Sequence, residues 1–393
     1  MEGSQAKNKR LEGGVMILWL FVARSDLLID KIIMLYRKYR PQKFSEVVGQ
    51  EHVIQTLCGA LLSGRTGHAY LFTGPRGTGK TTIARLMAKA LNCQKRDVNG
   101  DPDNTCDSCT AITTNRSLDL IEIDAASNRG IDEIRNIKDS AGVAAPSGGY
   151  KVFIIDEVHM LTQAAFNALL KILEEPPAHV VFILATTEAH KIPLTVLSRV
   201  QRFDFKRLSS EQILGKLREI AKTEKISIND DALVSIAVSS DGALRDPEVA
   251  LSKIQAVSRG KKVTAEDVGE LLGLIPFSYH PELLGYIVNN DRTAALNFIS
   301  KMHESGIDLD NFAGNFINYL RKVLLHRVSP ATLASVGDNL LDGEVKFIAA
   351  LSSSLEPKKI ASILNLFISA REGIKSSPIP QLPLELAIIE LTE

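Results

Sequence analysis

The segment Gly74-Pro75-Arg76-Gly77-Thr78-Gly79-Lys80-Thr81-Thr82 limits what this chain can fold into more than any other. Before it lies Ala69–Thr73, a short apolar run with a β bias; after it comes the helix-prone stretch Ile83–Leu91. Strand, glycine loop and helix in this order form the context in which G-x-x-x-x-G-K-[ST] cradles phosphate. Glycines let successive N–H groups turn onto phosphate oxygens without Cβ clashes, and the following helix adds its dipole and unpaired N–H groups. Lys80 is placed to reach the β- and γ-phosphates, and the Thr81 hydroxyl to ligate Mg²⁺. The expected ligand is therefore ATP with Mg²⁺, held by Gly74 to Thr82 in an α/β module built on a parallel sheet with flanking helices.

A second acidic motif follows about seventy residues later. Val152-Phe-Ile-Ile-Asp156-Glu157 carries four β-formers that deliver two carboxylates to a strand's C-terminal end, where open α/β sheets bind ligands. Asp156 is the expected Mg²⁺ partner and Glu157 the expected base for an attacking water. Thr162 can cap a helix running to Glu175, with Phe166, Leu169, Leu170 and Leu173 on one buried face. The next strand, from Val180, ends in Thr186-Thr187. From Ser209 the pattern turns helical: Ser209-x-x-Gln212 is a capping box, Asp230 or Asp231 can cap a second helix, Gly242–Pro247 starts a third near Asp246, and Thr264-x-x-Asp267 starts a fourth. Amphipathic segments continue over 281–288, 292–304, 309–327, 343–355 and 357–374, and a last one follows Pro383.

Zero net charge excludes a bulk electrostatic field for nucleic acid, so any such contact must be local. Four cysteines in 393 residues do not make a secreted disulfide scaffold. Three of them, Cys93, Cys106 and Cys109, cluster in a polar insert with a C-x₂-C corner that suits zinc. Cys58 falls on a helix and belongs to the core. Residues 1–33 differ from the rest. Lys7, Lys9 and Arg10 precede the apolar run Val15–Ala23, an outline compatible with a dispensable extension, an added helix or a membrane signal, and too short to span a bilayer.

Tyr36-Arg-Lys-Tyr-Arg40-Pro41-Gln-Lys-Phe-Ser-Glu-Val-Val48-Gly-Gln50, together with the two motifs above, resembles the ATPase subunit of the bacterial DNA polymerase III clamp loader, the gamma/tau subunit of the AAA+ class, in its short gamma-like form. The resemblance runs from about Leu35 to the C-terminus. It implies an AAA+ domain over 34–206 with the cysteine insert at 93–112, a helical lid over 207–272 and an all-α oligomerising collar over 273–393. It implies that Arg40, Pro41 and Val48 line an adenine pocket, and that Thr186 or Thr187 senses the γ-phosphate. Arg245, after Leu244, would close over the phosphates from the lid, and Arg199 would act on a neighbouring subunit's ATP. Val200 stands where the family's Ser-Arg-Cys motif has cysteine. The family's fourth zinc cysteine is here Asp103, an oxygen ligand in a usually all-thiolate set, which leaves zinc or a metal-free loop of reduced thiols open.

The activity implied is ATP hydrolysis within the DNA polymerase III holoenzyme, used to load a sliding clamp onto primed DNA. The implied partners are delta- and delta-prime-type subunits, further copies of this chain, the clamp and DNA, in the cytoplasm at the nucleoid and without a membrane. The sequence stops where the collar stops, so the longer family form's helicase- and polymerase-binding extension is expected to be missing. The rivals are another AAA+ DNA motor, such as a branch-migration helicase, and a nucleotide-bound scaffold that does not hydrolyse. All recognisable pattern begins after Met34. A chain shortened to begin there is expected to keep its melting temperature, and a large drop would show instead that Val15–Ala23 packs on the core.

Overall fold

The computed structural model describes residues 34–392 apart from 259–260, 273–274, 277, 330–347 and 349–354. The N-terminal extension and nearly all of the expected helix over 343–355 lie outside the described residues.

Five parallel strands form one sheet: β1 (Ala69–Thr73), β2 (Leu120–Asp124), β3 (Lys151–Asp156), β4 (Val180–Thr186) and β5 (Gln201–Asp204). Their order is β2-β3-β4-β1-β5, so β4 separates the strand that feeds the glycine loop from the strand that carries Asp156. The three central strands are buried almost throughout, as expected of a parallel sheet covered on both faces, and the edge strands β2 and β5 are largely open.

The period-2 alternation of side chains splits the core in two. Tyr70, Phe72, Ile154 and Ile183 face one layer, which includes α2 (Glu51–Leu62) and α3 (Lys80–Asn92). Leu71, Phe153, Phe182 and Leu184 face the other, formed by α5 (Ile131–Ala141) and α6 (Gln163–Glu174). Short helices α1 (Leu35–Lys38), α4 (Asp107–Thr113) and α7 (Leu194–Leu197) complete this part. Thr162 caps α6 as expected, its hydroxyl accepting from the Ala165 N–H.

Four helices make the lid: α8 (Ser210–Thr223), α9 (Asp230–Val238), α10 (Arg245–Val257) and α11 (Ala265–Leu272). The Ser209–Gln212 capping box is present in both directions. The cap position of α9 is Asn229; Asp230 and Asp231 sit in its first turn, where carboxylates favour the positive end of the dipole, and Asp230 accepts from Nε and Nη2 of Arg218. The α10 helix begins at Arg245, which leaves Pro247 within the first turn.

Leu35, on the N-terminal arm, packs into the lid's core and donates its N–H to the Ser252 hydroxyl, 2.9 Å away. Lys38 and Tyr39 both reach Glu224. The arm thus belongs structurally to the lid as much as to the sheet domain in which it falls by sequence. Beyond the lid, α12 (Tyr279–Val288), α13 (Arg292–Glu304), α14 (Leu309–Val328), α15 (Pro357–Ile374) and α16 (Leu382–Leu391) share a separate apolar core containing Phe312, Phe316 and Phe367.

Candidate active site

A cavity of about 890 Å³ runs from the C-terminal ends of β1 and β3 to the arm and the lid. The glycine loop forms its floor. Gly74, Gly77 and Gly79 all have positive φ, and the loop delivers Lys80 as the first residue of α3. At Gly74 only glycine fits: φ is +141° and an added Cβ would lie 2.4 Å from the Phe205 carbonyl oxygen.

Lys80 is buried, and its ammonium donates to the carbonyls of Gly74 (2.7 Å) and Pro75 (2.8 Å). Burial pulls its pKa below the ordinary lysine value, against the attraction of Glu157 and Asp156. The Thr81 hydroxyl donates to Asp156 Oδ2 at 2.8 Å, so the two oxygens expected to share Mg²⁺ already meet. A hydroxyl and a carboxylate are the oxygen donors this hard cation takes, and they fit it. Arg76, Thr78, Thr82, Arg40, Pro41 and Val48 also line the cavity.

Glu157 follows directly with φ +47°, and its N–H closes onto Asp156 Oδ1 at 2.9 Å. Glu157 Oε2 accepts from the Thr187 hydroxyl at 3.1 Å. The two candidate threonines therefore differ. Thr187 faces the acid, whereas Thr186 is fully buried and its hydroxyl contacts His159 Nδ1 at 2.9 Å. His159 lies between two carboxylates, 3.4 Å from Glu157 and 3.0 Å from Glu188. Neither His159 nor Glu188 stood out in the sequence. One follows the acid on a 3₁₀ turn and the other follows a strand end, and only folding brings them together.

The lid reaches the loop directly. The Leu244 N–H donates to the Gly77 carbonyl at 3.1 Å, and Arg245 lies in the cavity with its guanidinium 5.0 Å from the centre of the Tyr36 ring. One turn on, Glu248 also lines the cavity, only 6% exposed, and burial pushes its carboxyl up to about 7.

Arg199 lies elsewhere. It lines a second cavity of about 520 Å³ with Gly67, His68, Glu174 and Gln201. Its guanidinium donates to Glu174 at 2.7 Å and to the Thr195 carbonyl at 2.7 Å. The structure does not bring it to the chain's own glycine loop.

In the insert, ligand atoms of Cys93, Asp103, Cys106 and Cys109 all lie within 4.8 Å of one another. The Asp103 N–H donates to Cys93 Sγ at 3.3 Å, and Asp103 Oδ1 accepts from the N–H groups of Thr105 and Cys106. Burial works against the Asp103 charge, but these bonds hold its carboxyl well below the usual range. Three thiols and one oxygen converging in this way fit a zinc-type donor set. Cys58 lies apart, half-buried on α2, with burial raising its thiol to about 11.

A parallel sheet with β4 between the loop strand and the acidic strand, and a helical lid bonded to the loop itself, define a P-loop module of the AAA+ class. The sequence model described as "DNA polymerase III, delta subunit" matches residues 49–209, and that described as "DNA polymerase III subunits gamma and tau domain III" matches 263–393. The chain is 34% identical over 360 residues to DNA polymerase III subunit gamma of Buchnera aphidicola, covering 91% of this chain and 98% of that one. It is 42% identical to subunit tau of Bacillus subtilis and 38% identical to that of Escherichia coli, each over 91% of this chain. It spans 63% and 54% of those two relatives' own lengths. The chain belongs to the DNA polymerase III gamma/tau subunit family. Solved structures similar in fold include the Thermotoga maritima RuvB Holliday junction branch migration motor, with 20% identity, 69% of this chain and 87% of that one covered, and a TM-score of 0.45. Another is the Bacillus subtilis DNA clamp loader delta protein, with 17% identity, coverage of 86% and 99%, and a TM-score of 0.41.

The buried Glu248 gives a linkage prediction. Its pKa is raised from 4.5 to about 7, so the folded state favours the neutral acid. That contribution is fully present below pH 4.5 and is lost as pH rises through 7. Without nucleotide, Glu248→Gln is expected to melt near wild type at pH 4.5 and above it at pH 8, by on the order of 3 kcal/mol at most. A melting difference that does not change with pH would show that Glu248 does not titrate there.

Proposed function

We propose that this chain is the ATP-hydrolysing subunit of a DNA polymerase III clamp loader. It binds ATP with Mg²⁺ and, assembled with delta- and delta-prime-type subunits and further copies of itself, uses binding and hydrolysis to place a sliding clamp on primed DNA. The observation that carries the reading is a division of labour: Lys80, Thr81, Asp156 and Glu157 converge in one cavity, while Arg199 lines another.

The residues act as follows. N–H groups of the loop and of the start of α3 cradle the phosphates, and Lys80 exchanges the Gly74 and Pro75 carbonyls for phosphate oxygens. Thr81 and Asp156 are the pair that would hold Mg²⁺, which when bound neutralises charge on the β- and γ-oxygens. Glu157 takes the proton of the attacking water, and Thr187 fixes which way the carboxylate points. Arg245 closes from the lid, with Leu244 fastening that helix to the loop. Arg199 completes a neighbour's site rather than its own, adding a cation where transition-state charge develops.

A scaffold that does not hydrolyse would not need Lys80, Asp156 and Glu157 in register. Another DNA motor would not account for the match of residues 263–393 to gamma and tau domain III. The Cys93, Asp103, Cys106 and Cys109 cluster would hold one structural Zn²⁺ that pins the insert to the end of α3.

Two tests follow. Lys80→Ala and Arg199→Ala oligomers are each expected to lose most ATPase activity; in GTPases an arginine finger is worth roughly 10³–10⁵ in rate. Mixing the two variants pairs some intact Lys80 sites with an intact Arg199 from the next subunit, and activity is expected to return. Demonstrated co-assembly without any return would place Arg199 outside the reaction. For the insert, elemental analysis after purification in metal-free buffers is expected to find about one zinc per chain. Zinc near zero, with all four thiols freely titratable, would instead establish a metal-free loop.

A further inference from the structure

One face of α10 carries Arg245, Glu248 and Ser252, at helical spacings of three and four residues, and the first two line the nucleotide cavity. Two of the three have evident partners. Arg245 stacks near Tyr36, and Ser252 accepts the Leu35 N–H while bonding back to the Glu248 carbonyl. The Glu248 carboxyl has none: among the described residues it makes no hydrogen bond or ion pair, and Lys216 and Arg40 act on it only through space.

A carboxyl that is 6% exposed and has no partner within the protein costs stability, and leucine in its place would pack without that cost. Such a group is kept at a ligand site when the ligand supplies the missing partner. Its position narrows the choice of ligand group. Phosphate-binding atoms lie on the loop, and a carboxylate repels phosphate. The same cavity is also lined by the apolar side chains of Val47, Val48, Leu208 and Leu244, walls suited to the faces of a purine ring.

We propose that Glu248 is the residue that selects an adenine base, its carboxyl oxygen accepting the hydrogen bond of the exocyclic N6 amine. The inference rests on the reading of this cavity as an ATP site and adds what that reading lacks, a side chain that distinguishes adenine from a purine carrying oxygen at the same position. Accepting the amine's hydrogen bond favours the ionised carboxylate, and an oxygen in the amine's place would then face a carboxylate oxygen, acceptor against acceptor. A site built to bond a donor discriminates strongly against the analogue without it.

The test uses the whole chain as assembled and direct binding of ATP, inosine triphosphate and purine riboside triphosphate, which carries hydrogen in place of the amine. At pH 8, where the carboxyl is ionised, wild type is expected to bind ATP at least about tenfold more tightly than either analogue, the scale of one hydrogen bond to a charged group. Glu248→Gln keeps the shape but can turn its NH₂ toward an oxygen. It is expected to weaken ATP, strengthen inosine triphosphate and bring their ratio near one. Equal binding of ATP and purine riboside triphosphate by wild type overturns the proposal without need of any variant. So does a Glu248→Gln protein whose ATP to inosine triphosphate ratio is unchanged. If wild type binds none of the three, or binds them regardless of Lys80→Ala, the ATP site itself is wrong and this inference falls with it.

Discussion

The main chain at Gly74 is wedged where three strands end, and the geometry of the site depends on that wedge. Its N–H continues the ladder to the Thr186 carbonyl at 3.2 Å, while Phe205, just past β5, donates to the Thr73 carbonyl at 2.7 Å and leaves no room for a Cβ. The phosphate loop therefore leaves the sheet at a position fixed by backbone atoms on both sides. From the same place Phe205 leads on to Leu208, whose N–H meets the Gly242 carbonyl, and two residues later Leu244 returns to Gly77. Loop, threonine pair and lid are tied together through main-chain contacts that side-chain variation cannot easily loosen.

Around this frame the molecule tolerates several buried or half-buried ionisable groups. Lys80 and Arg40 both have their pKa values lowered by desolvation, and Glu248 has its value raised. For folding alone, apolar residues of similar volume would do better at such places. Their concentration in one cavity, at the C-terminal edge of a parallel sheet, is the pattern of a site whose electrostatics are completed by an anionic ligand. Glu248 stands apart, because an acid there gains nothing from phosphate.

What was legible in the sequence is what is local. The loop from Gly74 to Thr82 and the pair Asp156-Glu157 carry their chemistry in consecutive residues, and the α/β module with helical units behind it followed from strand and helix periodicities. The Ser209 and Thr162 caps were readable for the same reason. Asp230 and Asp231 were the two cap candidates for α9, and the cap position falls one residue earlier on Asn229, since only the observed backbone says where helical angles begin. Thr186 and Thr187 were inseparable because a strand end alternates its faces, and which one reaches Glu157 depends on the pairing of β4 between β1 and β3. Glu248 did not stand out in the sequence; its burial depends on the fold, in which the distant arm packs on the same helix through the Leu35 N–H and Ser252. The closeness of the four ligand atoms in the cysteine insert likewise emerges only once Asp103 turns its carboxylate onto its neighbours' N–H groups.

The contacts of Arg199 are weak ones, of the kind that the proposed assembly needs. Its partner Glu174 has a half-exposed side chain and its own is one-third exposed, so their 2.7 Å ion pair is of the solvent-screened kind worth at most about 1 kcal/mol. The Thr195 carbonyl and Ser198 hydroxyl that it also touches are on the same short turn, and they aim the guanidinium without burying it. A guanidinium held this lightly can leave for a phosphate at small cost. One locked into a buried pair could not, because removing it would strand a desolvated carboxylate. Under the proposed assembly, the energy that draws Arg199 across an interface comes from the nucleotide on the other side, so each bound ATP strengthens the contact that prepares its own hydrolysis.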